Sequence, residues 1–202
     1  MKFVVATNNK KKLSELNRIL IPLGIDAVTA KDVNVDLGDV EENGTTFEEN
    51  AYIKAKSAFD LLNGEYCVVA DDSGLCVDAL DGKPGVFSAR YGGEGLNDID
   101  RYNKLLSDMK GVAEKDRGAH FACSICAIMT DGTVIRAFGK CDGIIGLAPV
   151  GDGGFGYDPI FMVGDKSFSQ LTADEKDKCS HRGNALRELK LKLEEYMEVN
   201  KC

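Results

Sequence analysis

Nowhere in the 202 residues does an apolar run reach the ~18 positions that a membrane-spanning helix needs. The apolar start of the chain, residues 1–7, leads directly into Lys10, Lys11 and Lys12. A secretory leader has the opposite order, with basic residues ahead of a longer apolar region. Both features point to a cytoplasmic protein. Repeats, low-complexity tracts and linker-like stretches are also missing, so residues 1–202 read as a single domain of ordinary size. Histidine is scarce: of two, His120 falls in a strand pattern, which leaves no pair for a catalytic dyad. Basic residues are outnumbered 25 to 33, and the net charge of -8 argues against broad attraction to nucleic acid. It does not exclude a small polyphosphate, whose charge a metal ion and a few local lysines can balance. The phosphate-loop pattern G-x-x-x-x-G-K-[ST] is absent.

Enough apolar sequence is present, 44%, to form a real core. Several of the seven cysteines, Cys67, Cys123 and Cys126 among them, lie in apolar strand patterns, where a thiol acts as a small hydrophobe. Cys123 and Cys126 have the spacing of a redox or metal pair. Residues three apart on a strand face opposite ways, however, and no second pair completes a zinc site.

Periodicity predicts a strand over residues 2–6 and a helix over 11–21 with Leu13, Leu16 and Leu20 on one face, ended by Pro22 and Gly24. Thr46-x-x-Glu49 has capping-box spacing and opens a helix with an alanine-rich stripe, closed at Asn63-Gly64. A strand over 66–70 is expected to end at Asp71-Asp72-Ser73-Gly74. Further on come a helix over 98–109, a hairpin about Asp131-Gly132 between strands 120–129 and 134–140, a glycine-rich loop over 151–158, a capping box at Thr172-x-x-Glu175 and a C-terminal helix. This pattern implies an α/β protein with a mixed sheet.

Five segments carry chemistry. Thr7-Asn8-Asn9-Lys10-Lys11-Lys12 turns from strand to helix, where backbone N–H groups attract anions. Its lysines oppose the helix dipole, a local conflict that marks a candidate phosphate site. Glu41 precedes a helix that it does not cap, and a carboxylate free of that task suits a hard cation such as Mg²⁺. Lys54 and Lys56 follow in that helix. Asp71 and Asp72, expected at a strand's carboxyl end, stand where ligands bind in α/β sheets. They point to opposite faces, so one can serve a metal or act as a base while the other packs. In Gly153-Gly154-Phe155-Gly156-Tyr157-Asp158-Pro159, glycines permit close approach and Phe155 is available to stack on a base. Ser180-His181-Arg182-Gly183, preceded by Lys176 and Lys178, supplies donors for a base carbonyl or a phosphate.

Taken in order over nearly the whole chain, these segments resemble the inosine triphosphate pyrophosphatase family, which clears non-standard purine nucleotides. The resemblance also takes in Asn50-Ala51 and Pro84-Gly85-x-x-Ser88-Ala89-Arg90-Tyr91. It implies an elongated mixed β-sheet with flanking helices, two lobes around a central nucleotide-binding cleft, and a homodimer. It implies cleavage of ITP, dITP and XTP to monophosphate and pyrophosphate with Mg²⁺ as cofactor. Carried over by residue, Thr7, Asn8, Asn9, Lys10, Lys11 and Lys12 bind phosphates, with Lys54 and Ser73 nearby. Glu41 and Asp72 hold the metal, and Asp72 is also the proton acceptor. Phe155, Gly156, Tyr157, Asp158, Lys176, His181 and Arg182 form the nucleoside pocket. Two rival readings are a related pyrophosphatase for modified pyrimidine nucleotides and a nucleotide-binding regulator without turnover.

Overall fold

The computed structural model describes residues 2–7, 9–38 and 40–200. Asn8 lies outside the described residues, as do the side chains of Lys10 and Lys11. The chain runs β1 (Lys2–Val5), α1 (Lys10–Leu20), β2 (Asp26–Thr29), α2 (Phe47–Leu61), β3 (Cys67–Val77), α3 (Asp98–Asp108), β4 (Gly118–Ile128), β5 (Val134–Ile145), β6 (Phe161–Val163), β7 (Lys166–Ser167), α4 (Ala173–Cys179) and α5 (His181–Val199). The strands form one sheet in the order β2-β1-β3-β4-β5-β6-β7. β1 is parallel to β2 and to β3, whereas β5–β6 and β6–β7 are antiparallel, so the sheet is mixed as expected.

Two compact units share these strands. One comprises Met1–Asp72, Cys123–Gly139 and His181–Cys202, and the other Ser73–Ala122 and Lys140–Ser180. In the first unit both sheet faces are covered. Leu16 and Leu20 of α1 and Ala185, Leu186, Leu189 and Leu193 of α5 pack on Phe3, Val5, Val69, Cys123 and Ile125. On the opposite face Ala51, Ala55 and Ala58 of α2 meet Val4, Ala6, Val68, Ala70, Cys126 and Ile128. The two cysteines of the C-x-x-C thus belong to different cores. Burial pushes their thiols up, Cys123 to about 12 and Cys126 to about 11, as it does for inert cysteines.

In the second unit Leu75, Val77, Phe121, Phe161 and Phe168 surround Leu105 and Met109 at the end of α3. Phe121 stacks on Phe168 at 5.7 Å, and Phe161 meets both edge-on.

Local signals hold where the chemistry is local. Thr46 and Thr172 each cap a helix through a complete capping box with Glu49 and Glu175. The main departure is β3, which does not end at Ala70. Leu75 and Val77 continue its inward alternation at 0% exposure, so pairing extends to Val77 and the two acids lie in mid-strand. β5 likewise runs beyond Lys140 to Ile145, a buried residue of the same core.

Candidate active site

In the first unit the site begins at α1. Asn9 caps the helix: its side-chain oxygen accepts from the Lys12 amide at 3.2 Å, and its carbonyl accepts from the Leu13 amide. Asn9 in turn donates its amide to the Thr7 hydroxyl at 3.2 Å. No acid occupies the first turn of α1 to complement the helix dipole.

The two acids of β3 diverge as strand alternation requires. Asp71 points to the α1–α5 side. Its Oδ2 accepts from Lys12 Nζ at 3.1 Å and from Arg182 Nη2 and Nε at 3.1 and 3.3 Å. Arg182 also donates through Nη1 to Glu15. Asp72 points to α2, where Lys54 Nζ lies 2.9 Å from Oδ1 and Asn50 Nδ2 lies 3.3 Å from Oδ2. Lys54 also donates to Glu42 at 3.1 Å. The electrostatics separate the pair. Burial works against the ionised form of Asp71, but Lys12, Arg182 and Lys54 overcome it and hold its carboxyl well below the ordinary range. For Asp72 burial prevails over the pull of Lys54, Glu42 adds to it, and the carboxyl is raised. Lys54 is itself raised: burial opposes its charge, but Asp72, Asp71 and Glu42 outweigh it. One ammonium thus serves several carboxylates, and Asp72 receives only a share.

The start of α5 is set by the sheet. A Cβ on Gly139 of β5 would overlap the His181 carbonyl and the Ala185 amide, so only glycine lets the helix come this close. His181 and Arg182 are therefore buried in the first turn of α5, at 5% and 2% exposure.

In the second unit Asp158 organises the glycine-rich loop. Its Oδ2 accepts from the Phe155 amide at 2.8 Å and from Lys176 Nζ at 2.6 Å. Gly154 has φ +74°, and a Cβ there would strike this carboxylate. The Lys176 ammonium lies 4.8 Å from the centre of the Phe155 ring, a cation–π contact on a half-buried aromatic. The Gly156 amide donates to Asp98, and Tyr157 donates its hydroxyl to the Ser88 carbonyl at 2.9 Å. Ser73 follows the acids on β3 and is half-buried.

The structure therefore brings Lys12, Asp71 and Arg182 together, Lys54 and Asp72 together, and Phe155, Asp158 and Lys176 together. It leaves Glu41 exposed, and Glu42 beside it is the acid that reaches Lys54. Sequence reasoning missed Asn50 and Glu15 as members. Asn50, 1% exposed, interrupts the alanine stripe of α2 one turn before Lys54, and Glu15 lies one turn after Lys12. A polar residue inside an apolar stripe and an i,i+3 pair were the available signals.

Known proteins resemble this chain over nearly its whole length. The chain is 45% identical over 195 residues to a dITP/XTP pyrophosphatase of Clostridium perfringens, covering 94% of this chain and 95% of that one. It is 42% identical over 193 residues to one of Bacillus subtilis, covering 95% and 96%. Among solved structures, the Ham1 protein of Staphylococcus aureus superposes with a TM-score of 0.85 at 39% identity, covering 97% of this chain and all of that one. A HAM1 protein from Coxiella burnetii gives the same score at 38% identity, covering 96% and 99%. The Ham1 family model matches residues 3–192, a span that takes in every segment described above, and the chain belongs to the Ham1 family.

Proposed function

We propose that this protein hydrolyses non-standard purine nucleoside triphosphates, ITP, dITP and XTP, to the monophosphate and pyrophosphate, and so clears the nucleotide pool. The observation that carries the reading is the divergence of Asp71 and Asp72: adjacent carboxylates on opposite faces, Asp71 bound by Lys12 and Arg182 and lowered, Asp72 bound by Lys54 and Asn50 and raised by burial. Relatives at 42–45% identity bear the name dITP/XTP pyrophosphatase, which supports the substrate class.

In this reading Asp72 is the catalytic residue that accepts a proton from water. The water oxygen attacks the α-phosphorus, the bond from that phosphorus to the bridging oxygen breaks, and pyrophosphate leaves. Lys54 and Asn50 fix the carboxylate's orientation. Thr7, Asn8, Asn9, Lys10, Lys11 and Lys12 bind the phosphates, with Ser73 close by. The nucleoside is taken by Phe155, Gly156, Tyr157, Asp158 and Lys176, with His181 and Arg182 at the start of α5. A C6 carbonyl on the base satisfies donors that adenine's amino group leaves unpaired, which disfavours ATP.

Magnesium fits the donor set. Asp72 and Glu42 present carboxylate oxygens on either side of one lysine ammonium, a place already occupied by positive charge. Mg²⁺ commonly keeps several waters and takes one or two carboxylates. Two acids therefore suffice, although no cluster of three or more metal-ligating side chains occurs among the described residues. Asp72, with Glu42 or Glu41, would hold the ion, which supplies charge neutralisation to the triphosphate when bound.

Among the described residues no helix is long and apolar enough to cross a membrane. We take the enzyme to be cytoplasmic and its working form to be a homodimer. The deciding experiment measures pyrophosphate release with Mg²⁺ from ITP, dITP, XTP, GTP, ATP and modified pyrimidine triphosphates. Turnover confined to ITP, dITP and XTP is expected. Preference for the pyrimidines, or no metal-dependent turnover, overturns the reading.

A further inference from the structure

Lys12, Asp71, Arg182 and Glu15 form a foursome in the first unit, a chain of ion pairs with two cations against two anions. Its members are not equally accessible. The side chains of Asp71 and Arg182 are 1% and 3% exposed, whereas that of Lys12 is 18% exposed. Lys12 is therefore the cation of the group that an arriving anion can meet. Its ammonium is already held by Asp71 at 3.1 Å, from the first turn of a helix whose N-terminus carries no acid. Asp71 does not depend on Lys12 alone: the same oxygen takes two donors from Arg182. Its other oxygen, Oδ1, is buried and has no hydrogen-bond partner among the described residues. Asp71 can thus yield a share of Lys12 to another anion without being left bare, since Arg182 remains.

We propose that Asp71 is a positioning residue for the leaving group: it holds the Lys12 ammonium where pyrophosphate takes it up, and by competing for that ammonium it lets the product go. This rests on the reading of Lys12 as a phosphate ligand. The foursome is neutral as it stands. With Asp71 neutralised it carries one net positive charge, and the phosphate gains undivided use of Lys12. Product grip then rises, and turnover becomes limited by release.

The test is calorimetric titration with inorganic pyrophosphate in Mg²⁺, which does not require turnover. Asp71→Asn should bind pyrophosphate roughly tenfold more tightly, the change expected for one charge-assisted bond no longer shared. Lys12→Gln should bind it more weakly, and the double variant should match Lys12→Gln, because Asp71 acts through Lys12. Unchanged or weaker binding by Asp71→Asn, with Lys12→Gln weakened, overturns the proposal and leaves the phosphate reading of Lys12 intact. Unchanged binding by Lys12→Gln overturns both. Should Asp71→Asn not fold, lysine side-chain NMR on the wild type decides. The Lys12 ammonium signal should be visible without ligand and should move on adding pyrophosphate. A signal unmoved at saturation overturns the proposal.

Discussion

Asp71 and Asp72 are chemically identical, adjacent and both buried, yet the two faces of β3 make them different acids. On the α1–α5 face, Asp71 meets two cations and stays ionised. On the α2 face, Asp72 shares one lysine with Glu42 and is raised. The lesson is that burial alone does not set a carboxylate's chemistry; the ratio of cations to anions around it does. One face is built for stability and for holding a charge in place, the other for moving a proton.

The sharpest test is Asp72→Asn. Loss of the base should lower kcat by roughly 10²–10⁴. Because burial works against its charge, Asp72 is a liability to the native state at neutral pH, and its penalty lifts as pH falls through the raised value. The variant also takes one partner from Lys54, which keeps Glu42, so it should lose less stability in urea than Arg182→Ala does. A strong loss of stability with little loss of kcat would reverse the roles assigned to the two faces.

Arg182→Ala should act in the opposite way. It leaves Asp71 without two of its donors and Glu15 without its partner, and breaking a buried pair costs about 3–5 kcal/mol. Urea titration measures this. The same variant, assayed with ITP and ATP, should narrow the ratio of their kcat/KM values if Arg182 also reads the base. An equal fall for both substrates confines Arg182 to the ion network.

Asp71 makes a pH prediction of definite sign. Its folded-state pKa lies below the ordinary 3.8, so its stabilisation is fully present above that value and is lost as pH falls toward the lowered one. The stability gap between wild type and Asp71→Asn should be constant from neutral pH down to about 5 and should narrow below about 4. A gap that widens in acid would mean that Lys12 and Arg182 do not hold Asp71 ionised.

The mildest effect separates two neighbours. Glu42 reaches Lys54 while Glu41 is exposed, so Glu42→Gln should raise the half-saturating Mg²⁺ concentration more than Glu41→Gln does. The reverse order would restore Glu41 as the ligand.

Much of this was legible beforehand because it depends on neighbours in sequence. Capping boxes at Thr46 and Thr172, the stripe of α1 and the opposite facing of Asp71 and Asp72 follow from periods of 3.6 and 2. The end of β3 was misplaced for an equally physical reason. Asp71-Asp72-Ser73-Gly74 looks like a turn, and only the ion partners that satisfy those acids let a strand run through them. Glu15 and Asn50 take no role from the sequence, because a lone polar residue on a helix has no meaning until something buried needs it.

By itself the sequence determined which residue types occur, their order and which face of its element each occupies, because these rest on backbone geometry and on burying apolar stripes. Only the tertiary structure decided the partners. That Arg182 is bound to an acid more than a hundred residues away, that Lys54 is divided between Asp72 and Glu42, and that Gly139 admits the first turn of α5 are long-range facts. Charge interactions act through space and with burial, so two adjacent aspartates acquired different chemistry only when the sheet placed helices on both of its faces.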